Sequence, residues 1–263
     1  MPRRIVILPA STKAGRETIR VLLQSESKPF VRAVYRNPAK APAEFLQNPN
    51  FEAVQGDVSS GSGLDFAGFD TLFYIPPRPM SPGVLRLNHI SDEILKNSVP
   101  QVSIVRPGYI TEEWAHFLDA AKADPPVLHS WISPVDHKVP MVDLKDIGEC
   151  CANTLLSEQT KPSPYYFKLF GPQHYSSADL KDAVEKVVGT KTELKLIERD
   201  QLSGFFAQLG IPETHVPDFV GMTTAVLPGG IMAGDFGYDE DTVRGKVELV
   251  DGLREMYEKK QQG

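Results

Sequence analysis

The N-terminal part of the chain repeats one pattern: a short unbroken apolar run, then a stretch with apolar residues at helical spacing. Residues 5–8 (Ile5, Val6, Ile7, Leu8) form the first run. An unbroken run with β-branched members suits a strand buried on both faces, as in a parallel sheet. Residues 16–24 read as a helix whose apolar side carries Ile19, Val21, Leu22 and Leu23. Residues 30–35 form a second buried strand, 42–47 a short helix, 51–54 a third strand, and 71–75 a fourth after a Gly/Ser loop. Strands alternating with helices mark βαβ units and a doubly wound sheet.

Beyond this the pattern changes. Residues 76–82 are proline-rich and cannot be a central strand. A helix is predicted over 87–97, a strand over 102–105 stopping at Pro107-Gly108, and a helix over 112–123 with Trp114, Phe117 and Leu118 on one side. A short strand at 139–142 leads into a helix at 143–156, with Asp143 or Asp146 as its cap. Residues 165–170 read as a strand ending at Gly171-Pro172. Residues 176–188 read as a helix opened by Ser176 with Asp179 three positions on and closed by Gly189. A strand follows at 194–197, then helix mixed with the glycine-rich loop 227–237, and a charged helix over 242–260.

The pattern predicts an α/β fold: a doubly wound parallel, Rossmann-like sheet with a smaller C-terminal α/β lobe. Residues 1–108 with parts of 139–172 make up the first domain, and residues 109–138 and 173–263 the smaller lobe. A chain of 263 residues suits one large α/β unit or one with an appendage. The net charge of −6 argues against nucleic-acid binding by bulk electrostatics, which needs clustered cations. No apolar run approaches the roughly 18 residues of a membrane span, and the run after Arg3-Arg4 is too short for a signal peptide. The cysteines, adjacent at Cys150 and Cys151, give neither a disulfide framework nor metal spacing, which fits a reducing, cytoplasmic setting.

The loop after the first strand bears most on function. A phosphate-binding βα turn uses glycine so that backbone approaches the anion closely at a helix N-terminus. Here the loop is Pro9-Ala10-Ser11-Thr12-Lys13-Ala14-Gly15, with Gly15 the only glycine. Ala10, Ser11 and Thr12 are small, and Ser11 and Thr12 carry donors; Pro9 removes one and fixes φ. A strand–turn–helix packing corner with no ligand is the alternative reading. At the end of the second strand stands Tyr35-Arg36-Asn37 with Lys40 nearby and no acid. An arginine there suits the 2′-phosphate of NADP, whereas an acid suits NAD. Asp57, after the third strand, either bonds an adenine amine or caps its turn.

Residues 31–40 (Val-Arg-Ala-Val-Tyr-Arg-Asn-Pro-Ala-Lys) and Val54-Gln55-Gly56-Asp57-Val58 resemble the N-terminal half of the NmrA-like family of atypical short-chain dehydrogenase/reductases. Arg106-Pro107-Gly108-Tyr109, the stretch 133–143, Asp146-Ile147-Gly148-Glu149, and Phe170-Gly171-Pro172 with Tyr175, Ser176 and Asp179 continue the likeness to about Gly210. Within that family the chain resembles the fungal secondary-metabolism branch, including ergot-alkaloid and aflatoxin-cluster reductases. The resemblance implies a Rossmann domain, NADP(H) as cofactor, and oxidoreduction of a small organic metabolite or nucleotide sensing.

It also implies site roles. Ser11, Thr12, Lys13 and Gly15 hold the pyrophosphate, and Arg36 the 2′-phosphate. Asp57 and Val58 flank adenine, Ile75 and Pro76 border the ribose, and Tyr109 and His89 meet substrate. The chain departs from the family in two places. Pro9 and Thr12 stand where the family has glycines, and the segment between residues 76 and 100 holds one helix, too little for the family's helix, strand and second helix. The sheet is therefore expected to lack one central strand. The Tyr-x-x-x-Lys pair of ordinary short-chain reductases has no clean match. His89 shares a helix face with Asn88 and Glu93 and is a general-acid candidate or a structural residue. His116 and His129 could line a pocket and are explained equally well by packing, and His137 reads as structural, on the approach to a strand. A non-catalytic, dinucleotide-sensing or partner-binding protein on the same fold is the rival reading.

Overall fold

A computed structural model describes residues 2–76, 84–96 and 99–262. The chain divides into two compact units. The first comprises Met1–Arg78, Asn97–Ser103 and Leu144–Tyr165; the second comprises Pro79–Lys96, Ile104–Asp143 and Tyr166–Gly263. The proline-rich loop expected at 76–82 lies, beyond Pro76, outside the described residues.

The first unit is built on a parallel sheet of four strands, β1 (Arg4–Leu8), β2 (Phe30–Tyr35), β3 (Phe51–Gln55) and β4 (Thr71–Tyr74), in the order β3-β2-β1-β4. Side chains alternate across a strand, so an unbroken apolar run needs cover on both faces. Both are covered. Ile5, Ile7, Val31, Ala33 and Tyr35 pack with Ile19 and Leu22 of α1 (Lys13–Gln24) and with Ala152 and Leu155 of α5 (Leu144–Leu156). Val6, Leu8 and Val34 pack on the other side against Val54, Val58, Leu64, Phe69 and Tyr74. Each fully buried Ile or Leu contributes about 1.5–3 kcal/mol. Gly148 lets α5 approach α1, since a Cβ there would lie 2.8 Å from the Glu17 Cβ. The short helix α2 (Ala43–Leu46) holds Phe45 against Phe51, ring centroids 5.6 Å apart.

After β4 the described chain contains one helix, α3 (Val84–Leu95), and no strand before β5 (Ser103–Pro107). β4 and β5 belong to different sheets. Residues 77–83 and 97–98 of the segment expected to lack a strand lie outside the described residues.

The second unit carries three small sheets. β6 (Tyr109–Ile110), β8 (Val139–Val142) and β10 (His174–Tyr175) form one, in the order β10-β8-β6. β7 (Val127–Ser130) pairs in parallel with β11 (Glu193–Leu196). β9 (Tyr165–Phe170) lies between β5 and β12 (Thr242–Arg244). Its core gathers Trp114, Phe117, Leu128, Ile132 and Met141 with Leu180 and Val184 of α6 (Ser177–Val188) and Leu249 and Leu253 of α9 (Leu249–Gln262). A satellite cluster joins Leu202 and Phe206 of α7 (Leu202–Gln208) to Val216 of α8 (Val216–Val226).

Two expectations are corrected here. The helix expected over 112–123 is a 3-10 turn at Thr111–Trp114 followed by α4 (His116–Ala120), broken at Ala115. The helix expected over 242–260 starts only at Leu249, because Thr242–Arg244 pairs in parallel with Lys168–Phe170 of β9. A three-residue strand leaves too little alternation to be read from sequence.

Candidate functional site

The loops that follow β1, β2, β3 and β4 of the first unit leave the sheet at one edge. Backbone hydrogen bonds fix them: the Ala10 amide donates to Val34 O at 3.0 Å, the Gly56 amide to Tyr35 O at 2.9 Å, and the Ile75 amide to Leu8 O at 3.0 Å. In open α/β sheets ligands bind outside this carboxyl edge. Ala10, Ser11, Thr12, Lys13, Gly15, Arg36, Asp57, Val58, Ile75 and Pro76 all belong to the loops at this edge, or to the residues that open α1.

The β1–α1 turn is closed by its own side chain. Thr12 is the N-cap of α1, in extended conformation (φ −69°, ψ 154°). The Gly15 amide donates to Thr12 Oγ1 at 3.0 Å, and the Thr12 hydroxyl donates to Pro9 O at 3.0 Å. Gly15 is required at its place: a Cβ would lie 2.8 Å from both Pro9 O and Thr12 Oγ1. The helix thus opens on a glycine packed under the loop, as a phosphate-binding turn does, with a threonine cap where backbone would be bare. The first turn of α1 holds no acid. Its partial positive charge, about half an elementary charge, has no anionic side chain in that turn to offset it.

Arg36 follows β2 directly, is exposed, and makes no hydrogen bond or ion pair among the described residues. Asn37 Oδ1 accepts from the Ala39 amide at 3.1 Å and turns the chain, and Lys40 stands exposed at the end of that turn. Beneath them Tyr35 is 3% exposed. Its phenol oxygen has no partner among the described residues. Burial raises the phenol above its usual titration range, while the Arg16 charge acts the other way. Asp57 caps its own turn, with Oδ1 accepting from the Ser59 amide at 2.9 Å. Val58 is packed against the apolar cluster under that loop.

The second unit holds the remaining candidates. Tyr109 is packed against the core beside Trp131. Its phenol oxygen is buried and makes no well-formed hydrogen bond among the described residues; burial pushes it up to about 12, with the nearby Trp131 indole acting the other way. It stays protonated at neutral pH. His89 is exposed on α3; on the same helix the Lys96 contact at 2.5 Å, and less so the nearby His89, holds the Glu93 carboxyl below the usual carboxylate range. The side chain of Asn88 lies outside the description. His137 Nε2 donates to Val226 O at 2.8 Å, and His116 lies in the ring stack of Trp114 and Trp131; both have packing roles. His129 is exposed on β7.

Burial pushes the thiols of Cys150 and Cys151 up to about 11 and about 12, the reverse of what a nucleophile needs. Among the described residues no group of His, Cys, Asp or Glu could hold a metal ion. No helix there is long and apolar enough to cross a membrane.

Sequence reasoning missed two features of this edge. It treated Thr12 as a ligand donor, although a threonine just before a helix is an N-cap signal. It also missed the orphaned phenol of Tyr35, for which a buried strand leaves no signal.

No protein-family model matches the chain, and no curated protein matches it in sequence. Solved structures do match its fold. An NADPH-dependent quinone oxidoreductase of Escherichia coli, solved with NADPH, is 14% identical, with 97% of this chain and 99% of that one covered and a TM-score of 0.67. The triphenylmethane reductase of Citrobacter sp., solved with NADP(H), is 15% identical, with 97% and 99% covered and a TM-score of 0.67. A nucleoside-diphosphate-sugar epimerase of Staphylococcus aureus is 14% identical, with 96% and 99% covered and a TM-score of 0.66. The chain therefore has the Rossmann-type α/β fold shared by these reductases and epimerases.

Proposed function

We propose that this chain is an NADP(H)-dependent oxidoreductase of the NmrA-like kind, acting in the cytoplasm on a small organic metabolite of secondary metabolism. The observation that carries the reading is Arg36. It is an exposed guanidinium, unpaired among the described residues, at the end of β2, on the edge where α1 presents an N-terminus with no acid in its first turn. An arginine at this place meets a 2′-phosphate.

The donor set fits a dinucleotide at Arg36 and at the opening of α1, and is narrowed at Thr12. Arg36 holds the 2′-phosphate, with Lys40 adding charge. Ser11, Thr12, Lys13 and the turn at Gly15 face the pyrophosphate. Asp57, through the carboxylate oxygen not used in its turn, and Val58 flank adenine; Ile75 and Pro76 border the ribose. The nicotinamide, when bound, supplies the hydride. Tyr109 and His89 of the second unit are the candidates to meet substrate, Tyr109 as a hydrogen-bond donor that stays protonated.

The test is the loss of reduced-nicotinamide absorbance from NADPH with the purified protein and a panel of quinones, ketones and imines. Turnover with any member, reduced at least roughly tenfold by Tyr109→Phe, supports the reading. A folded protein that binds NADPH and turns over nothing supports the second reading, a dinucleotide-sensing regulator. That reading is favoured by the deep burial of the Tyr109 phenol and by the lack of a Tyr-x-x-x-Lys pair.

A further inference from the structure

The opening turn of α1 is occupied by its own side chain. An α-helix begins with amides that have no partner inside the helix, and an N-cap oxygen and an incoming anion are alternative acceptors for them. In this chain the third of these amides, that of Gly15, is taken by Thr12 Oγ1 at 3.0 Å. The hydroxyl proton is taken too, because it donates to Pro9 O at 3.0 Å. A phosphate oxygen cannot accept from the Gly15 amide while this contact stands, and the hydroxyl cannot donate to the phosphate without leaving Pro9 O.

Thr12 also adds bulk at the point of closest approach. The backbone at residue 12 is extended (φ −69°, ψ 154°), so any residue, glycine included, fits the turn. Threonine is β-branched and stiff, and its side chain is held at the helix opening by both hydrogen bonds. Below the loop, in one apolar cluster with Ala10, the nearly buried Tyr35 keeps a hydroxyl with no partner among the described residues. The base of this edge thus retains a polar group that no described residue satisfies, while the mouth of the helix is capped.

Resting on the NADP(H) reading, we propose that Thr12 is a built-in competitor for the dinucleotide's pyrophosphate, lowering affinity by holding the Gly15 amide and crowding the helix opening. The side chain stands in for the ligand's phosphate oxygen, and binding proceeds with release of the Thr12–Gly15 contact.

The experiment is calorimetric titration of NADPH into the wild type and the Thr12→Gly, Thr12→Ala and Thr12→Ser variants, with thermal melting of each without ligand. Thr12→Gly is expected to bind roughly fivefold more tightly, since it removes both the competing acceptor and the bulk. Thr12→Ala frees the amide but keeps a Cβ, and gains less. Thr12→Ser keeps the cap and stays near the wild type. Without ligand, Thr12→Ala melts lower than Thr12→Ser. Wild-type binding that weakens in both Thr12→Gly and Thr12→Ala makes Thr12 a ligand rather than a competitor, and overturns the inference while leaving the NADP(H) reading intact. Equal affinity in all four proteins overturns it in the same way. Absence of binding by every folded variant overturns the inference together with the reading beneath it. If Thr12→Gly does not fold, the Thr12→Ala and Thr12→Ser pair decides alone.

Discussion

α1 and α6 both begin with a hydroxyl cap, and they begin differently. α6 closes its N-terminus completely. The Asp179 amide donates to Ser176 Oγ at 3.2 Å, and Asp179 Oδ2 accepts from both the Ser176 amide and the Ser176 hydroxyl at 2.9 Å. That capping box places a carboxylate in the first turn, where it offsets the helix's positive end. α1 has the cap and no carboxylate. The same local chemistry thus serves two purposes. At α6 the carboxylate finishes the helix end. At α1 it keeps its field and stands on the carboxyl edge of the parallel sheet beside an unpaired arginine.

The difference is sharpened by breaking each side in turn. Arg36→Glu should have the largest effect. A charge-assisted contact of about 1.5–3 kcal/mol is lost and a repulsion added, so NADPH affinity should fall roughly ten- to hundredfold while NADH affinity changes little. Equal loss of both in competitive titrations would remove the 2′-phosphate from the account. Ser176→Ala should act only on stability. It removes a cap worth about 1 kcal/mol and so lowers the melting temperature by roughly 2–4 °C, with NADPH binding unchanged.

The smallest effect lies at the far end of α6. Glu185 accepts from the Thr192 amide at 2.8 Å and pairs with Lys181 and Lys191 at 2.7 Å each. The Lys181 contact, then Lys191 and Thr192, hold its carboxyl at about 2, against an ordinary 4.5. A depressed carboxyl stabilises the fold above its unfolded value and loses that contribution as pH falls toward its folded value. Stability should therefore drop between pH 4.5 and 2, and Glu185→Gln should flatten that part of a denaturation series.

The legible parts of the fold were those with physical redundancy. β1 and β2 stood out because strands covered on both faces must be apolar throughout. α6 stood out because cap, acid and Gly189, in the left-handed conformation (φ +79°), mark both its ends. Elements such as β6, β10 and β12 were not legible, because two or three residues carry no period and take their form from a partner strand. At the candidate site, residue types were legible and their commitments were not. Thr12 reads as a ligand group, and Asp57 as either an adenine ligand or a turn cap; the structure gives Thr12 Oγ1 to the Gly15 amide and Asp57 Oδ1 to the Ser59 amide. A side chain's partner within its own loop depends on backbone geometry that spacing does not encode.

The most direct test of whether the N-terminus of α1 and Arg36 together receive NADP(H) is a calorimetric titration of the wild-type protein with NADPH and with NADH. The account predicts saturable binding of NADPH, at least roughly tenfold tighter than NADH. No heat from either dinucleotide, with a protein whose circular dichroism shows it folded, would contradict it and leave a Rossmann-type fold whose helix end serves packing alone.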